Sequence, residues 1–248
     1  MGRGKRVAEV KLCVLGNSHV SSLKTAWDAL QPHWAGIDLV FFASRGDGLQ
    51  GLELQGDRLV PGFDALAKAL AHTSGGDGSV NLGDYDAFVL YGLSFTLPPL
   101  HACYSAAVRR QISLDVFEQS LSRRLLRQIR AGSSKPVFVG HNPLYAQLEP
   151  SADEGKNCMD YRLAIAWLNQ SLAAENAAVV TQPTVTIVDA WHTDRMFTKG
   201  STRLDVGDFF SGRPHADIDI KHMNGEFGQH WLAALFEEMR ARGVLPRV

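Results

Sequence analysis

Apolar positions follow two rhythms along this chain. Val10 to Leu15, Ile37 to Ala43, Ala87 to Tyr91, Pro136 to Val139 and Thr184 to Val188 are short runs, mostly apolar or β-branched. Runs of that kind fit strands covered on both faces. Between them lie longer stretches in which apolar residues recur every three or four positions, the mark of a helix with one buried face. This spacing predicts helices over His19–Leu30, Phe63–His72, Ser113–Ala131, Asp160–Ala174 and Phe227–Arg242. The first carries Val20, Leu23, Ala26, Trp27 and Leu30 on one face, and the last carries Trp231, Leu232, Leu235, Phe236 and Met239.

Strand and helix alternate through the chain, which implies parallel β-α units and a three-layer α/β/α sandwich around a five-stranded parallel sheet. Three segments stand outside that alternation. Leu49 to Val60 alternates leucine with polar residues around Gly51 and Gly56 and reads as a short hairpin beside the main sheet. Thr73 to Gly83, rich in Gly, Ser and Asp, reads as a surface loop. Asp189 to Asp219 is long and irregular, with Gly200, Gly207, Gly212 and Pro214, and loops of that length are usually functional or mobile. Arg123, Arg124, Arg127 and Arg130 are expected on the solvated side of the third helix.

Composition narrows the classes. The 248 residues suit one domain over 1–248, with 1–9 expected as a flexible tail. With 25 basic and 26 acidic side chains the net charge is −1, which argues against nucleic acid or an anionic membrane surface as the main partner. No apolar run approaches the roughly 18 residues of a membrane span. The start of the chain has basic residues but no apolar signal-peptide core. Cys13, Cys103 and Cys158 show neither a disulfide framework nor a zinc-ligand pattern. A cytoplasmic protein without metal or organic cofactor is the expectation.

The chemistry collects at the strand ends. In a parallel sheet every strand points its carboxyl end at the same edge, where open α/β folds bind ligands. Ser18 follows the first strand, Gly46 the second, Ser94 the third and Asn142 the fourth; Asp219 and His222 come after the long segment that follows the fifth. A neutral serine needs a positioned base to act as a nucleophile. Three residues of separation let the Asp219 carboxylate accept from one imidazole nitrogen of His222 and leave the other to face a hydroxyl. A tetrahedral intermediate further needs hydrogen-bond donors, and losing one costs about 3–4 kcal/mol of barrier. The backbone N–H groups of Ser18 and Gly46 and a side chain from Ser94 or Asn142 are the candidates. Asn17, His19, Tyr145 and Trp191 are candidate substrate contacts, the last two as surfaces on which a sugar ring could stack.

Each of these residues has a plainer reading alone. Asn17 or Ser18 would be a helix N-cap. Asp219 would stabilise a helix start, Gly46 would turn the chain, and Ser94 and Asn142 would begin turns. Their joint placement at one sheet edge favours a site.

On these motifs the chain resembles the SGNH/GDSL hydrolases, a superfamily of esterases, lipases and carbohydrate O-acyl hydrolases. Gly16-Asn17-Ser18-His19 occupies the place of the family's Gly-Asp-Ser motif, and Ser44-Arg45-Gly46-Asp47 that of its oxyanion glycine. Asp219-Ile220-Lys221-His222 matches the Asp-x-x-His motif, with Asn224 and Gly228 adding to the likeness. The third motif departs: Gly92-Leu93-Ser94-Phe95 stands where Gly-x-Asn-Asp is usual. The resemblance implies a flavodoxin-like fold, Ser18 as nucleophile, His222 as base, Asp219 as its partner and Gly46 in the oxyanion hole.

Three functions compete. One is a serine esterase acting on a small or carbohydrate-linked acyl ester. The second is an O-acyltransferase using the same residues. The third is a binding protein for a glycan or anion that keeps the fold, which the altered third motif would explain. A nucleophile at Ser94 is a further hydrolase option, although Thr96 stands where the elbow motif of α/β-hydrolases has its second glycine.

Overall fold

The computed structural model describes residues 10–147 and 161–246. The expected tail over 1–9 and Cys158 lie outside the described residues. Its central sheet has five parallel strands: β1 (Val10–Gly16), β2 (Ile37–Ala43), β6 (Ala87–Tyr91), β7 (Val137–Gly140) and β8 (Ala177–Val179). They lie in the order β2-β1-β6-β7-β8. Numbered within the sheet this is 2-1-3-4-5, the flavodoxin-like order. Strand residues alternate between two cores. Cys13, Leu15, Phe88, Leu90, Val137 and Val139 enter one; Leu12, Val14, Val89, Tyr91 and Phe138 enter the other.

Helices α1 (Val20–Leu30) and α6 (Gly225–Ala241) cover the second face, where Leu23, Trp27, Trp231, Leu235 and Phe236 meet the strands. The opposite face is covered by α2 (Asp64–Ser74), α3 (Ala106–Glu118), α4 (Leu121–Gly132) and α5 (Arg162–Leu172), through Leu66, Leu70, Phe117, Leu125, Leu126, Ile129 and Leu168. This is the three-layer sandwich with a five-stranded parallel sheet that the alternation implies. Because α1 lies on one face and α2 on the other, the chain leaves β1 and β6 in opposite directions. The topological switch point of the sheet, where open α/β folds bind ligands, therefore falls between their carboxyl ends.

The hairpin expected near Leu49 exists as β3 (Leu52–Gln55) and β4 (Arg58–Pro61), in a separate antiparallel sheet. The expected loop over Thr73 to Gly83 is corrected in part: it contributes β5 (Val80–Asn81), the third strand of that sheet.

The single helix expected from Ser113 to Ala131 is two, α3 and α4. Ser120 ends the first and caps the second, its Oγ accepting from the Arg123 N–H at 3.1 Å. Of the arginines of α4, Arg124 and Arg127 are exposed as expected, while Arg123 and Arg130 are committed to protein partners. Arg123 pairs with Glu118 and Glu175, and Arg130 donates to the carbonyls of Ser133, Lys135 and Asn176.

The fifth strand was expected at Thr184–Val188 and is instead Ala177–Val179, while Thr184–Thr186 forms a 3-10 turn. Thr186 there serves local hydrogen bonds and not a ladder. Thr186 Oγ1 donates to the Pro183 carbonyl and accepts from the Gln182 side chain, and Val185 is left exposed. Among the described residues no helix is long and apolar enough to cross a membrane.

Candidate active site

β1 stops at Gly16 because α1 packs directly over it: a Cβ at that position would lie 2.0 Å from Val20 Cγ2 and 2.9 Å from the Tyr91 carbonyl. The turn that follows carries Asn17, Ser18 and His19. Neither Asn17 nor Ser18 caps α1. His19 occupies the cap position and makes no side-chain cap bond. The Asn17 side chain instead turns back, its Oδ1 accepting from the His19 N–H at 3.1 Å. It also lies against Gly92, where a Cβ would sit 2.8 Å from that oxygen and where φ is +67°. Only glycine allows both the close approach and this backbone.

Ser18 Oγ lies 3.0 Å from His222 Nε2, and His222 Nδ1 lies 2.9 Å from Asp219 Oδ2. The other carboxylate oxygen, Oδ1, accepts from the backbone N–H groups of Lys221 and His222 at 2.7 and 2.9 Å. Asp219 is thus locked by its own turn, with one oxygen left for the imidazole. Burial by itself would raise its pKa, but the hydrogen bonds from His222 and Lys221 outweigh that and bring it down to about 2. Asn224 caps α6 just beyond, its Oδ1 accepting from the Phe227 N–H, while its Nδ2 donates to the Met196 and Lys199 carbonyls. It anchors the 219–224 turn.

The His222 ring is sandwiched between two other imidazoles. His215 stacks on it at 4.0 Å with an interplanar angle of 11°, and His19 at 5.0 Å with 26°. Burial, and then the neighbouring His222, lower the pKa of His19 to about 3 and that of His215 to about 4. Both flanking rings therefore stay neutral. His19 was a candidate substrate contact, but its ring is spent on this stack and its Nδ1 is buried without a partner. His215 was missed by sequence reasoning. It sits in the irregular segment with no motif around it, and only the chain path brings it over His222.

Two expected oxyanion donors are committed elsewhere. The Ser94 hydroxyl donates to Asp47 Oδ1 at 2.7 Å, on a backbone with φ of +54°. The Asn142 amide donates to Thr96 Oγ1 at 2.7 Å. The backbone N–H groups of Ser18 and Gly46 have no protein partner among the described residues. Gly46 adopts φ of +58°, and Arg45 beside it clamps the irregular segment through the Leu204 carbonyl and Asp208. Trp191 was proposed as a stacking surface. It is 3% exposed and meets Tyr161 edge to face. Tyr145 is exposed, with Lys221 Nζ 5.6 Å from its ring centre.

A scan of protein-family models and a search of curated proteins find no match to this sequence. Among solved structures, the chain is similar to the periplasmic domain of a lipopolysaccharide acetyltransferase from Salmonella ser. Paratyphi A, with 8% identity and a TM-score of 0.44 over 96% of this chain and 85% of that one. Phospholipase A1 from Streptomyces albidoflavus NA297 matches with 14% identity and a TM-score of 0.42, over 93% of this chain and 99% of that one. A gut microbial diltiazem-metabolizing enzyme matches with 12% identity and a TM-score of 0.38, over 76% and 44%.

His215, Asp219 and His222 also present ligand atoms within 4.8 Å of one another, a donor set a cation could use. Two of the three already bond each other, and His222 Nε2 faces Ser18. A cation there would displace those bonds.

Proposed function

We propose that this chain is a serine hydrolase of the SGNH/GDSL type that cleaves an O-acyl ester, with Ser18 as nucleophile, His222 as base and Asp219 as its partner. The observation that carries this is the continuous chain from Ser18 Oγ through His222 to Asp219, with contacts of 3.0 and 2.9 Å. Ser18 Oγ attacks the acyl carbonyl while its proton passes to His222 Nε2. Asp219 accepts from Nδ1, fixing the tautomer and stabilising the imidazolium. The tetrahedral intermediate collapses with the same proton delivered to the departing alcohol, leaving an ester on Ser18. Water then loses a proton to His222 and attacks the acyl group, and His222 returns that proton to Ser18 Oγ as the acid leaves. An alcohol in place of water gives acyl transfer from the same intermediate.

The oxyanion donors in this reading are the N–H groups of Ser18 and Gly46, with Asn17 Nδ2 as the side-chain donor in place of Ser94 or Asn142. The assignment rests on the His19 N–H. By occupying Asn17 Oδ1 it identifies the other end of the amide as the NH₂. That group has no protein partner among the described residues.

The test is a serine-directed fluorophosphonate followed by peptide mass spectrometry. The adduct is expected on Ser18, and its formation in His222→Ala is expected to slow at least about 10³-fold. Turnover of short acyl esters should fall equally in Ser18→Ala. An adduct on Ser94 would move the nucleophile. Neither labelling nor turnover would leave a binding protein as the better reading.

A further inference from the structure

A second Asp-x-x-His turn, Asp189-Ala190-Trp191-His192, repeats the geometry of the first. Asp189 Oδ1 accepts from the N–H groups of Trp191 and His192 at 2.7 and 2.8 Å, and Oδ2 lies 2.8 Å from His192 Nδ1. The corresponding distances at Asp219 are 2.7, 2.9 and 2.9 Å. Both dyads are shielded to the same degree, their side chains 20 to 22% exposed. Nothing in the proposed reaction uses the second one.

The two turns flank one stretch of chain. The Ala146 N–H donates to the Ile220 carbonyl at 2.8 Å, while the Gln147 N–H donates to Thr193 and the Thr193 N–H to Tyr145, at 3.1 and 3.0 Å. Two strand-like spacings separate the turns, on the order of 10 Å. His192 lines a cavity of about 270 Å³ whose other walls include Leu97, Pro98, Asn142, Pro143 and Leu144. Its location follows from Asn142, two residues beyond the end of β7, at the same carboxyl edge that carries Ser18. The cavity is mainly apolar, and His192 Nε2 has no protein partner among the described residues.

We infer that this cavity receives a hydroxyl-bearing, otherwise apolar group, and that His192 Nε2 accepts the hydroxyl hydrogen bond. Asp189 sets the polarity. By accepting from Nδ1–H it leaves a lone pair on Nε2, so the site recognises a donor rather than an acceptor. Assigning this group to the ester substrate, as a specificity element beside the reacting bond, rests on the reading of Ser18 as nucleophile. The recognition itself does not.

The test uses ligand binding, so it reports independently of catalysis. Cyclohexanol and methoxycyclohexane have the same ring, but only the first donates a hydrogen bond. Each is titrated into the ¹⁵N-labelled full chain while the imidazole nitrogens of His192 are followed by long-range ¹H–¹⁵N correlation. Cyclohexanol is expected to shift Nε2 saturably and to bind about fivefold more tightly than the ether, the value of one net hydrogen bond. The preference should persist in Ser18→Ala. Asp189→Asn, which can donate to Nδ1 and so place the proton on Nε2, should turn it toward the ether. His192→Phe should remove it, with the backbone amide spectrum reporting that each variant is folded. Equal binding of the two ligands, no shift at His192, or an unchanged preference in Asp189→Asn would overturn the inference. Failure of fluorophosphonate labelling at Ser18 would instead count against the catalytic reading alone.

Discussion

Asn17 shows how one side chain can change meaning between sequence and structure. Beside a nucleophile candidate at a helix start it reads as a cap or a substrate contact. Folded, its Oδ1 accepts from the His19 N–H and lies against Gly92. Asn17→Ala is expected to lower kcat on a short acyl ester about 10²–10³-fold with a much smaller change in KM, as for the loss of one oxyanion donor. Ser94→Ala, which only frees Asp47, should cost far less. Steady-state kinetics on the two variants decide between them; the reverse ranking would return the role to Ser94. Asp219 and His222 were legible from spacing alone, because a three-residue turn largely dictates which atoms of the pair can meet. Ser94 and Asn142 were not, because their partners Asp47 and Thr96 are 47 and 46 residues away in sequence.

Among the elements, those with strong periodicity were the legible ones. The run from Ile37 to Ala43 and the run from Ala87 to Tyr91 are strands over those same residues. The error at the fifth strand has a physical source. Ala177-Ala178-Val179 is only three residues long, and its strand state comes from pairing with β7. In the β-branched run nearby, the Thr186 hydroxyl bonds locally and Val185 and Val188 are exposed.

The pairing of α1 with α6 was likewise invisible, although Gly228 hints at it. A Cβ there would lie 2.1 Å from the Ser22 carbonyl oxygen and 3.0 Å from Ala26 Cβ. In an exposed helix interior, glycine to alanine gains about 1 kcal/mol from propensity. Here the backbone clash opposes that gain, and overpacking of this kind costs about 1–3 kcal/mol. Gly228→Ala is therefore expected to lower the thermal midpoint. A midpoint at or above that of the parent protein would show that the two helices separate easily.

For the molecule as a whole, three histidines are held neutral chiefly by burial. The pKa of His19 is lowered to about 3, and those of His141 and His215 to about 4, from an ordinary 6.5. The unfolded chain therefore takes up these protons first as pH falls, and stability drops from about pH 6.5 down to about 4 through His141 and His215 and to about 3 through His19. Asp219 acts in the next window: its carboxylate, held near 2 against an ordinary 3.8, loses its contribution as pH falls from about 4 toward 2. The urea midpoint should decline from pH 7 to pH 5, and the decline should be shallower in His141→Gln, whose site lies in the core between Phe95 and Tyr161. An equal slope in that variant would mean that His141 titrates normally.

The sequence by itself determined the layered α/β architecture, the sheet edge at which polar residues gather, and the local pairing of Asp219 with His222. These depend on local periodicity and on the rule that parallel strands share one carboxyl edge. Tertiary structure alone decided the rest: the strand order that puts the switch point between β1 and β6, the approach of Ser18 to His222, the commitment of Ser94 to Asp47, the stack of His19 and His215 on His222, and the second dyad beside its cavity. Each of these is a contact between side chains or turns remote along the chain. Such contacts follow from how layers pack and where the irregular 189–219 segment is pinned, and neither leaves a period in the sequence.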